Sequence, residues 1–323
     1  MEGLIDVDGR AVPPPFAPFA RIGTPRTTAT HILLLPLALL RGLVFLLLAT
    51  TYFCAHSLVP RSRPVLRHRI LYFLLRSVAF VIGFVSVSVQ GDIPPPSALP
   101  PLILGNHTSY LDVLFLLMLF QPAFVSAACA QEVPIVGAIA TSLDSVFVDF
   151  GPPSSSRSGS VTAAILDRVD AHLPGATPPL ALFPEGTTTN GTALLRFRTG
   201  AFAPGAPVLP VLIEYPFASF SPSWESIEIA HHIFFMLTSL YHSVRIRILP
   251  VYTPSPSLAA NPRAYADALT SHMAAHLSIP ISESSRAHKV LWHRVMRNHI
   301  SLPQALTHAS PSSSKPEPKP KDQ

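Results

Sequence analysis

The feature that most constrains the fold is a long apolar stretch near the amino terminus. Residues 32–55 read ILLLPLALLRGLVFLLLATTYFCA, and a second apolar stretch covers residues 70–84. A helix of about 20 apolar residues is long enough to cross a bilayer. The sequence from Thr27 to Gly91 contains no Asp or Glu but holds six arginines, namely Arg41, Arg61, Arg63, Arg67, Arg69 and Arg76. Because arginines in apolar segments tend to reach the lipid headgroups, residues 31–84 are predicted to form a membrane anchor.

The form of this anchor stays open at the level of sequence. Pro36 and Arg41 complicate a simple crossing, because a charged side chain in hydrocarbon is costly and tends to snorkel or pair. A helical hairpin that enters one leaflet therefore fits the pattern as well as a spanning helix does. A pair of helices buried in a protein core is the remaining interpretation. Arginines lie on both sides of residues 32–55, so they orient the segment only weakly.

The composition agrees with lipid contact. Hydrophobic residues make up 48% of the 323 residues and charged residues 13%, against about 25% charged residues in an average soluble domain. The net charge is +5, but no run of Lys and Arg is interleaved with aromatic residues, which argues against a nucleic-acid partner. The two cysteines, Cys54 and Cys129, provide neither a disulfide framework nor a zinc site, and they fit a reducing, cytosol-facing location.

From residue 85 the pattern changes to short segments that alternate between strand and helix. Val85, Val87 and Val89 alternate with polar residues, which is typical of a strand. Further strands are predicted at residues 102–104, 124–130, 145–150, 180–183, 208–213 and 244–249. Helices are predicted at residues 111–120, 135–142, 161–173, 233–241 and 261–277. This alternation predicts an α/β fold with a mostly parallel sheet flanked by helices, preceded by the membrane-associated helical segment.

The first candidate site is the segment 106–112 (NHTSYLD), which follows a predicted strand and opens a predicted helix. His107 and Asp112 are five residues apart, and five steps of a regular helix turn about 500°, so the two do not share a helix face. They can meet if His107 lies in the loop before the first turn. Asp112 would then fix the imidazole tautomer and leave the other nitrogen basic. The simpler interpretation is that Asn106 caps the helix and His107 is incidental.

Two further polar segments follow apolar strands. Residues 183–191 (FPEGTTTNG) contain N–H groups and Thr hydroxyls that can hold a phosphate or an oxyanion, at the kind of strand end where α/β proteins bind ligands. Residues 197–202 (FRTGAF) contain Arg198, which can pair with a phosphate. Taken singly, the first segment also fits a simple turn, and the second fits a solvated arginine. Residues 208–213 (VLPVLI) alone indicate a core strand.

The order of these segments resembles the glycerophospholipid acyltransferase family across residues 60–280. The strings FPEGTTTNG and FRTGAF, together with ILPVY at residues 248–252, are most similar to its lysophosphatidylcholine-acyltransferase branch. Residues 1–30 are rich in Pro, Ala and Thr without periodicity and are predicted to be a mobile tail, followed by the anchor at 31–84. The end of the chain is rich in Ser, Pro and Lys, so residues 301–323 are predicted to be a disordered tail. The resemblance implies that residues 85–300 form the acyltransferase domain. It also implies that His107 is the general base and that Asp112 orients it.

The resemblance assigns substrate binding to other positions. Glu185, Gly186 and Thr187 would help to bind the glycerophosphate part of the acceptor, and Gly137 matches the glycine of the second family motif. That motif usually ends in an Arg after a short strand, whereas this chain has Phe147-Val148-Asp149-Phe150 there. Arg157, Arg196 and Arg198 are the candidates to replace it, and Gln131 stands where a Lys is often found. These departures concern the acceptor phosphate rather than catalysis.

The function implied is transfer of an acyl chain from acyl-CoA to the free hydroxyl of a lysophospholipid at a membrane. Lysophosphatidic acid is favoured as acceptor, followed by lysophosphatidylcholine or lysophosphatidylethanolamine. No metal, no resident cofactor and no covalent acyl-enzyme are expected, since the sequence contains neither metal-ligand spacing nor a G-x-S-x-G elbow. The expected location is the endoplasmic reticulum or a lipid droplet, with the catalytic domain facing the cytosol.

Three alternatives stay open. A non-catalytic membrane protein on the same fold would bind lipid or a partner, and the missing second-motif Arg favours it slightly. Within the enzymes, a transacylase would move acyl chains between phospholipids without CoA, and another enzyme would use glycerol 3-phosphate as acceptor. The intact histidine, aspartate and FPEGT segments argue for catalysis, because a binding module has no need for a base and its orienter.

Overall fold

The computed structural model of the chain describes residues 4–5, 11–23, 28–60, 62–127, 141, 145–148, 161–218 and 220–309. The strands, in chain order, are β1 Leu4–Ile5, β2 Ala11–Val12, β3 Phe84–Gln90, β4 Leu102–Gly105, β5 Ala123–Ala127, β6 Val146–Val148, β7 Leu180–Leu182, β8 Leu194–Leu195, β9 Val208–Glu214, β10 His242–Ile248 and β11 Ile281–Ser282. The helices are α1 Thr28–Leu33, α2 Leu35–Leu58, α3 Pro64–Val81, α4 Leu111–Phe120, α5 Val161–Asp170, α6 Ile229–Leu237, α7 Pro256–Ala259, α8 Pro262–Leu277, α9 Arg286–Met296 and α10 Leu302–Ala309. Short 3-10 helices cover Pro14–Phe19, Pro96–Ala98 and Thr199–Phe202.

The centre of the fold is a seven-stranded sheet in the order β3-β10-β9-β4-β7-β5-β6. Every neighbouring pair is parallel except β9 and β10, which are antiparallel. The prediction of a mostly parallel sheet flanked by helices is therefore confirmed. Because β4, β7 and β9 run the same way, they end together, and β10 begins where they end. We call this the carboxyl edge of the sheet.

The sheet separates two apolar cores. Alternate residues of β4 face opposite sides, so that Ile103 joins one core, whereas Leu102 and Leu104 join the other. The first core contains residues of α3 and α4, and the second contains residues of α8. Both faces are covered, which explains why β4 reads LILG and β7 reads LAL, with every residue buried, instead of alternating with polar residues.

The predicted anchor forms two helices, α2 and α3, which pack against each other. Of the 24 residues in α2, only Ala38, Tyr52 and His56 are buried. Among the described residues, α2 is the one helix that is long and apolar enough to cross a membrane, by length and composition. Helix α3 packs on α4 and so connects the anchor with the sheet. The exposed Cys54 lies on α2, whereas Cys129 lies outside the described residues.

Parts of both predicted tails pack into the protein, which corrects the sequence-based assignment. The rings of Phe16 and Phe19 are fully buried, and Phe16 stacks on Trp292 of α9 at 5.5 Å between centroids. Helix α10 buries Ala305 in the same cluster. The sequence gives no indication of this packing, because a short Pro-rich helix has no periodicity and Trp292 lies 276 residues beyond Phe16. Residues 310–323 lie outside the described part of the chain.

The other predicted elements differ from the structure mainly at their ends. The helix placed at residues 233–241 is α6, which begins at Ile229 and ends at Leu237, where Thr238 and Ser239 return hydrogen bonds to carbonyls of the last turn. Asn261 caps α8 as expected, since its side chain accepts a hydrogen bond from the Ala264 N–H. Most of the helix predicted at 135–142 lies outside the described residues. Helix α9 was not predicted.

Candidate active site

The loop between β4 and α4 carries His107 at the carboxyl edge. Asn106 fastens this loop to the neighbouring strand, because its amide nitrogen donates to the Ile213 carbonyl (2.9 Å) and the Ile213 N–H donates to its amide oxygen (2.8 Å). Asn106 is therefore bound to β9 rather than capping the helix. The predicted contact between His107 and Asp112 is present, since His107 Nδ1 lies 2.9 Å from Asp112 Oδ2.

Asp112 is fully buried in the first turn of α4 and is surrounded by donors. Its Oδ2 accepts from His107 Nδ1 and from the N–H groups of Thr108 (2.8 Å) and Ser109 (2.9 Å). Its Oδ1 accepts from the Tyr215 hydroxyl at 2.6 Å. With four donors aimed at it, the carboxyl group acts as an acceptor. A neutral His107 with this partner carries its proton on Nδ1 and presents the lone pair of Nε2, the arrangement that a general base needs.

Tyr215 is a site residue that the sequence analysis missed. It directly follows β9 at the carboxyl edge, and that position was the only indication in the sequence. Burial, with the nearby Asp112 carboxylate, raises the pKa of Tyr215 well above its ordinary value of 10. The phenol therefore stays protonated and donates to Asp112, which fixes the carboxylate from the side opposite His107.

The FPEGT loop (residues 183–187) packs against His107 and forms a hydrogen bond with its backbone. The Phe183 ring stacks on the imidazole, with 4.1 Å between centroids and 11° between planes. Glu185 accepts from the His107 N–H at 2.6 Å and from the Leu195 N–H at 2.9 Å. Burial raises the pKa of Glu185 to about 8, against the opposing effect of these two donors. Because both oxygens of Glu185 bind backbone groups inside the protein, the geometry favours a positioning role over the direct acceptor contact that was predicted.

Gly186 and Arg198 form the open side of this loop. Gly186 adopts a positive φ of 71°, and a Cβ placed there would lie 2.6 Å from Arg198 Nε, so the guanidinium group lies directly over the glycine. The Arg198 side chain is exposed, and among the described residues no carboxylate pairs with it. Arg196 differs, since it pairs with Asp267 (3.6 Å) and Glu283 (3.1 Å).

Replacing Gly186 with Ala is expected to lower the free energy of unfolding by about 1–2 kcal/mol, because a left-handed residue with a Cβ costs about this much. The new methyl group would also displace Arg198. Thermal denaturation of the full chain in detergent measures the loss. Gly42→Ala is the matched control, because a Cβ there meets nothing within 4 Å. If Gly186→Ala and Gly42→Ala have the same free energy of unfolding, the positive φ and the close approach of Arg198 do not require glycine at position 186.

Residues that are distant in sequence form hydrogen bonds with Thr188, Thr189 and Asn190 of the same loop. The Thr189 N–H donates to the His107 carbonyl at 3.0 Å. The buried Lys289 of α9 donates to the Thr188 carbonyl (2.9 Å) and hydroxyl (2.6 Å), and burial lowers the pKa of Lys289 to about 8. Asn190 donates to the carbonyls of Ala17 (2.7 Å) and Ala20 (3.0 Å) in the amino-terminal segment. The loop is therefore braced by both ends of the described chain.

Comparison with known proteins agrees with this geometry. A family model described as Acyltransferase matches residues 86–214, which include both the histidine loop and the FPEGT loop. Lysophospholipid acyltransferase LPEAT1 from Arabidopsis thaliana is 38% identical over 203 residues, covering 62% of this chain and 51% of that protein. Lysophosphatidylcholine acyltransferase 1 from Homo sapiens is 31% identical over 261 residues, covering 77% of this chain and 48% of that protein. The chain belongs to the glycerophospholipid acyltransferase family.

The chain spans about half the length of the curated relatives it matches. It also aligns with a crystal structure of the 1-acyl-sn-glycerophosphate (LPA) acyltransferase, PlsC, from Thermotoga maritima. That alignment has a TM-score of 0.46 and 19% identity, and it covers 73% of this chain and 96% of that chain.

The structure brings together most of the site residues predicted for this family member. His107, Asp112, Glu185 and Gly186 lie in two adjoining loops, with Arg198 over the glycine. Thr187, next in the loop, is half-buried. Gly137 and Arg157 lie outside the described residues, so their predicted roles stay predictions. Among the described residues, no group of three or more His, Cys, Asp and Glu side chains is placed to hold a metal ion.

Proposed function

We propose that this chain transfers an acyl group from acyl-CoA to the free hydroxyl of a lysophospholipid. The observation that carries the proposal is the pair His107 and Asp112, in which a buried and fully hydrogen-bonded carboxylate holds one nitrogen of a partly exposed imidazole. A protein that only bound lipid would gain nothing from orienting a basic nitrogen in this way. The membership of the acyltransferase family supports the same reaction class.

His107 Nε2 would act on the acceptor hydroxyl. It takes the hydroxyl proton as the oxygen attacks the thioester carbonyl of acyl-CoA, and Asp112 stabilises the resulting imidazolium. The tetrahedral intermediate then breaks its carbon–sulfur bond, and the imidazolium returns the proton to the departing thiolate of CoA. N–H groups of the Gly186 loop are candidates to stabilise the oxyanion of that intermediate. The ester is formed without an acyl group on the protein.

Arg198 would bind the phosphate of the acceptor. It is a charged donor beside Gly186 without a carboxylate partner among the described residues, and every lysophospholipid carries a phosphate. Arg198 thereby takes the place of the arginine that the second family motif lacks in this chain. Gly186 and Thr187 would complete the site, whereas Glu185 would hold its loop in place.

Replacing Arg198 with Gln is expected to raise the KM for the lysophospholipid about tenfold or more, because a charge-assisted hydrogen bond contributes about 1.5–3 kcal/mol. The kcat should change little, since the phosphate is bound equally before and during the reaction. Initial rates over a range of acceptor concentrations measure both. Arg196→Gln is the matched control, because Arg196 already pairs with carboxylates. Equal KM values for the two variants would exclude Arg198 as the phosphate ligand.

The proposed location is the cytosolic face of a membrane, at the endoplasmic reticulum or a lipid droplet. Helix α2 supports contact with a membrane, because its exposed surface is apolar and it meets the length for a bilayer crossing. A membrane location also suits the substrates, since a lysophospholipid and a long-chain acyl-CoA both partition into lipid. Lysophosphatidic acid is the acceptor that we favour. The names of the relatives add lysophosphatidylcholine as the next candidate.

The test supplies each donor and acceptor separately to membranes that contain the full chain. Labelled oleoyl-CoA is offered with lysophosphatidic acid, lysophosphatidylcholine, lysophosphatidylethanolamine or glycerol 3-phosphate, and labelled phosphatidylcholine is offered without CoA. We expect label to move from oleoyl-CoA to lysophosphatidic acid fastest. Transfer from phosphatidylcholine alone would instead indicate a CoA-independent transacylase. Absence of transfer with every pair would contradict an enzymatic function.

A further inference from the structure

Exposed apolar side chains form a surface at the carboxyl edge, beside helix α2. Phe217 lies in the loop after β9, Ile229 and Ile233 lie on α6, and Leu240 and Tyr241 precede β10. Each of the five is between 40% and 60% exposed. We call these five residues the apolar patch. Phe217, Leu240 and Tyr241 also line a cavity of about 340 Å³.

Arg41 ties α2 to this patch. Its guanidinium group donates to the carbonyl oxygens of Leu237 (2.9 Å) and Ser239 (2.5 Å), with a longer contact to Leu240 (3.4 Å). Helix α6 ends at Leu237, and the last carbonyls of a helix lack partners within it and attract cations. The arginine that complicated a simple membrane crossing therefore finds its partners at the end of α6, which lies next to the patch.

The position of Arg41 along α2 indicates how deep in a bilayer the apolar patch would lie. Arg41 is six residues beyond Leu35, about 9 Å along a helix whose 24 residues span about 36 Å. The hydrocarbon core of a bilayer is about 30 Å thick, so Arg41 would lie near one boundary of the core if α2 crosses it. Leu240 is in hydrogen-bonding contact with Arg41 and must lie at a similar depth. The neighbouring Leu39 and Leu43 on α2 are 67% and 68% exposed.

The chemistry of the segment also fits lipid. From Ile229 to Tyr241 the sequence contains no Asp, Glu, Lys or Arg, so no full charge has to leave water if this stretch enters a bilayer. Tyrosine is enriched at membrane boundaries, where its ring meets the acyl chains and its hydroxyl meets the headgroups. Arg41 joins α2 to the end of α6, so the exposed leucines of α2 and the patch can enter the same bilayer.

We propose that the apolar patch inserts into the boundary of the bilayer alongside α2. The chain then contacts the membrane in two places, which holds the carboxyl edge against the lipid. His107 lies at that edge, so the acceptor hydroxyl can approach the base from the membrane rather than through water. This insertion presupposes the proposed membrane location and adds a second lipid-contacting surface to it.

Fluorescence quenching by nitroxide-labelled phosphatidylcholine tests this proposal. An environment-sensitive dye is attached to a single cysteine in the full chain, after Cys54→Ala and Cys129→Ala remove the native thiols. Leu240→Cys places the dye in the patch, and Leu46→Cys places it on α2. Leu173→Cys is the matched control, because Leu173 is 62% exposed and its neighbour His172 contacts the Leu99 carbonyl, which precedes β4 at the opposite end of the sheet. The chains are reconstituted into phosphatidylcholine vesicles.

We expect nitroxide lipid to lower the emission at positions 240 and 46 about twofold or more and to leave position 173 unchanged. Quenching at position 46 without quenching at 240 would overturn the proposal while leaving α2 in the membrane. Absence of quenching at all three positions would overturn it as well. None of these readings depends on turnover, so failure here is distinct from failure of the proposed acyl transfer, which the activity assay measures.

Discussion

Replacing His107 with Ala is expected to lower the rate of acyl transfer by about 10²–10⁴-fold, because that is the usual contribution of a positioned general base. Among the described residues, the side chain bonds only to Asp112 and stacks on Phe183, so its loss should leave the fold intact. Initial rates with labelled oleoyl-CoA and the best lysophospholipid acceptor measure the effect. The melting temperature of the purified full chain shows whether the variant is folded.

His276→Ala is the matched control, since His276 is exposed on α8, in the part of the fold opposite the anchor helices. It should transfer acyl groups at the wild-type rate. If His107→Ala keeps more than about a tenth of the wild-type rate, the histidine is not the general base. The proton of the acceptor hydroxyl would then leave by another route.

The second large effect is expected for Asp112→Asn. In a serine protease, the corresponding loss of the orienting carboxylate lowers kcat by about 10⁴-fold, because the histidine is held in the wrong tautomer and its imidazolium loses the nearby negative charge. The same two functions fall to Asp112, so we expect a loss of about 10²–10⁴-fold in kcat. Acyl transfer at saturating acceptor measures kcat directly.

Two further variants make the Asp112 result specific. Asp167→Asn changes an exposed aspartate on α5 and should have no effect on the rate. Tyr215→Phe removes one of the four donors to Asp112 but keeps its charge, so we expect a loss of about tenfold, which corresponds to one hydrogen bond of about 1.5 kcal/mol. Asp112→Asn with the same kcat as Tyr215→Phe would show that the negative charge is unimportant.

The contact between His107 and Asp112 could be predicted because it is local. Five residues and one loop-to-helix transition decide whether the two side chains meet, and helix geometry excludes the alternative in which both lie on α4. The α/β class could also be predicted, because parallel strands covered on both faces, such as β4 and β7, appear as short, continuous apolar runs in the sequence.

The hydrogen bonds that hold the site residues in place could not be predicted, because they join residues far apart in sequence. Tyr215 reaches Asp112 across 103 positions, and Lys289 reaches Thr188 across 101. Asn190 binds the amino-terminal segment, which was assigned to a mobile tail because its prolines break any helical pattern. No periodicity connects such residues, since their proximity is set by strand order, which a single sequence does not encode in a readable pattern.

Glu185 illustrates a different limit. The family resemblance placed it at the acceptor, and its position in the FPEGT loop is as expected. Its carboxylate, however, turns inward to the N–H groups of His107 and Leu195, where burial raises its pKa to about 8. A motif indicates that a residue belongs to a site. The direction of its side chain, however, depends on backbone N–H groups, and these cannot be recognised in a sequence because every residue except proline has one.

The measurement that tests the proposed mechanism most directly is the rate of acyl transfer by the double variant His107→Ala/Asp112→Asn, compared with each single variant and the wild type. Residues that act as one catalytic unit show losses that do not add. If Asp112 works only through His107, the double variant will be as slow as His107→Ala alone. Losses that multiply would show that the two residues act independently, and they would contradict the assignment of His107 as a base oriented by Asp112.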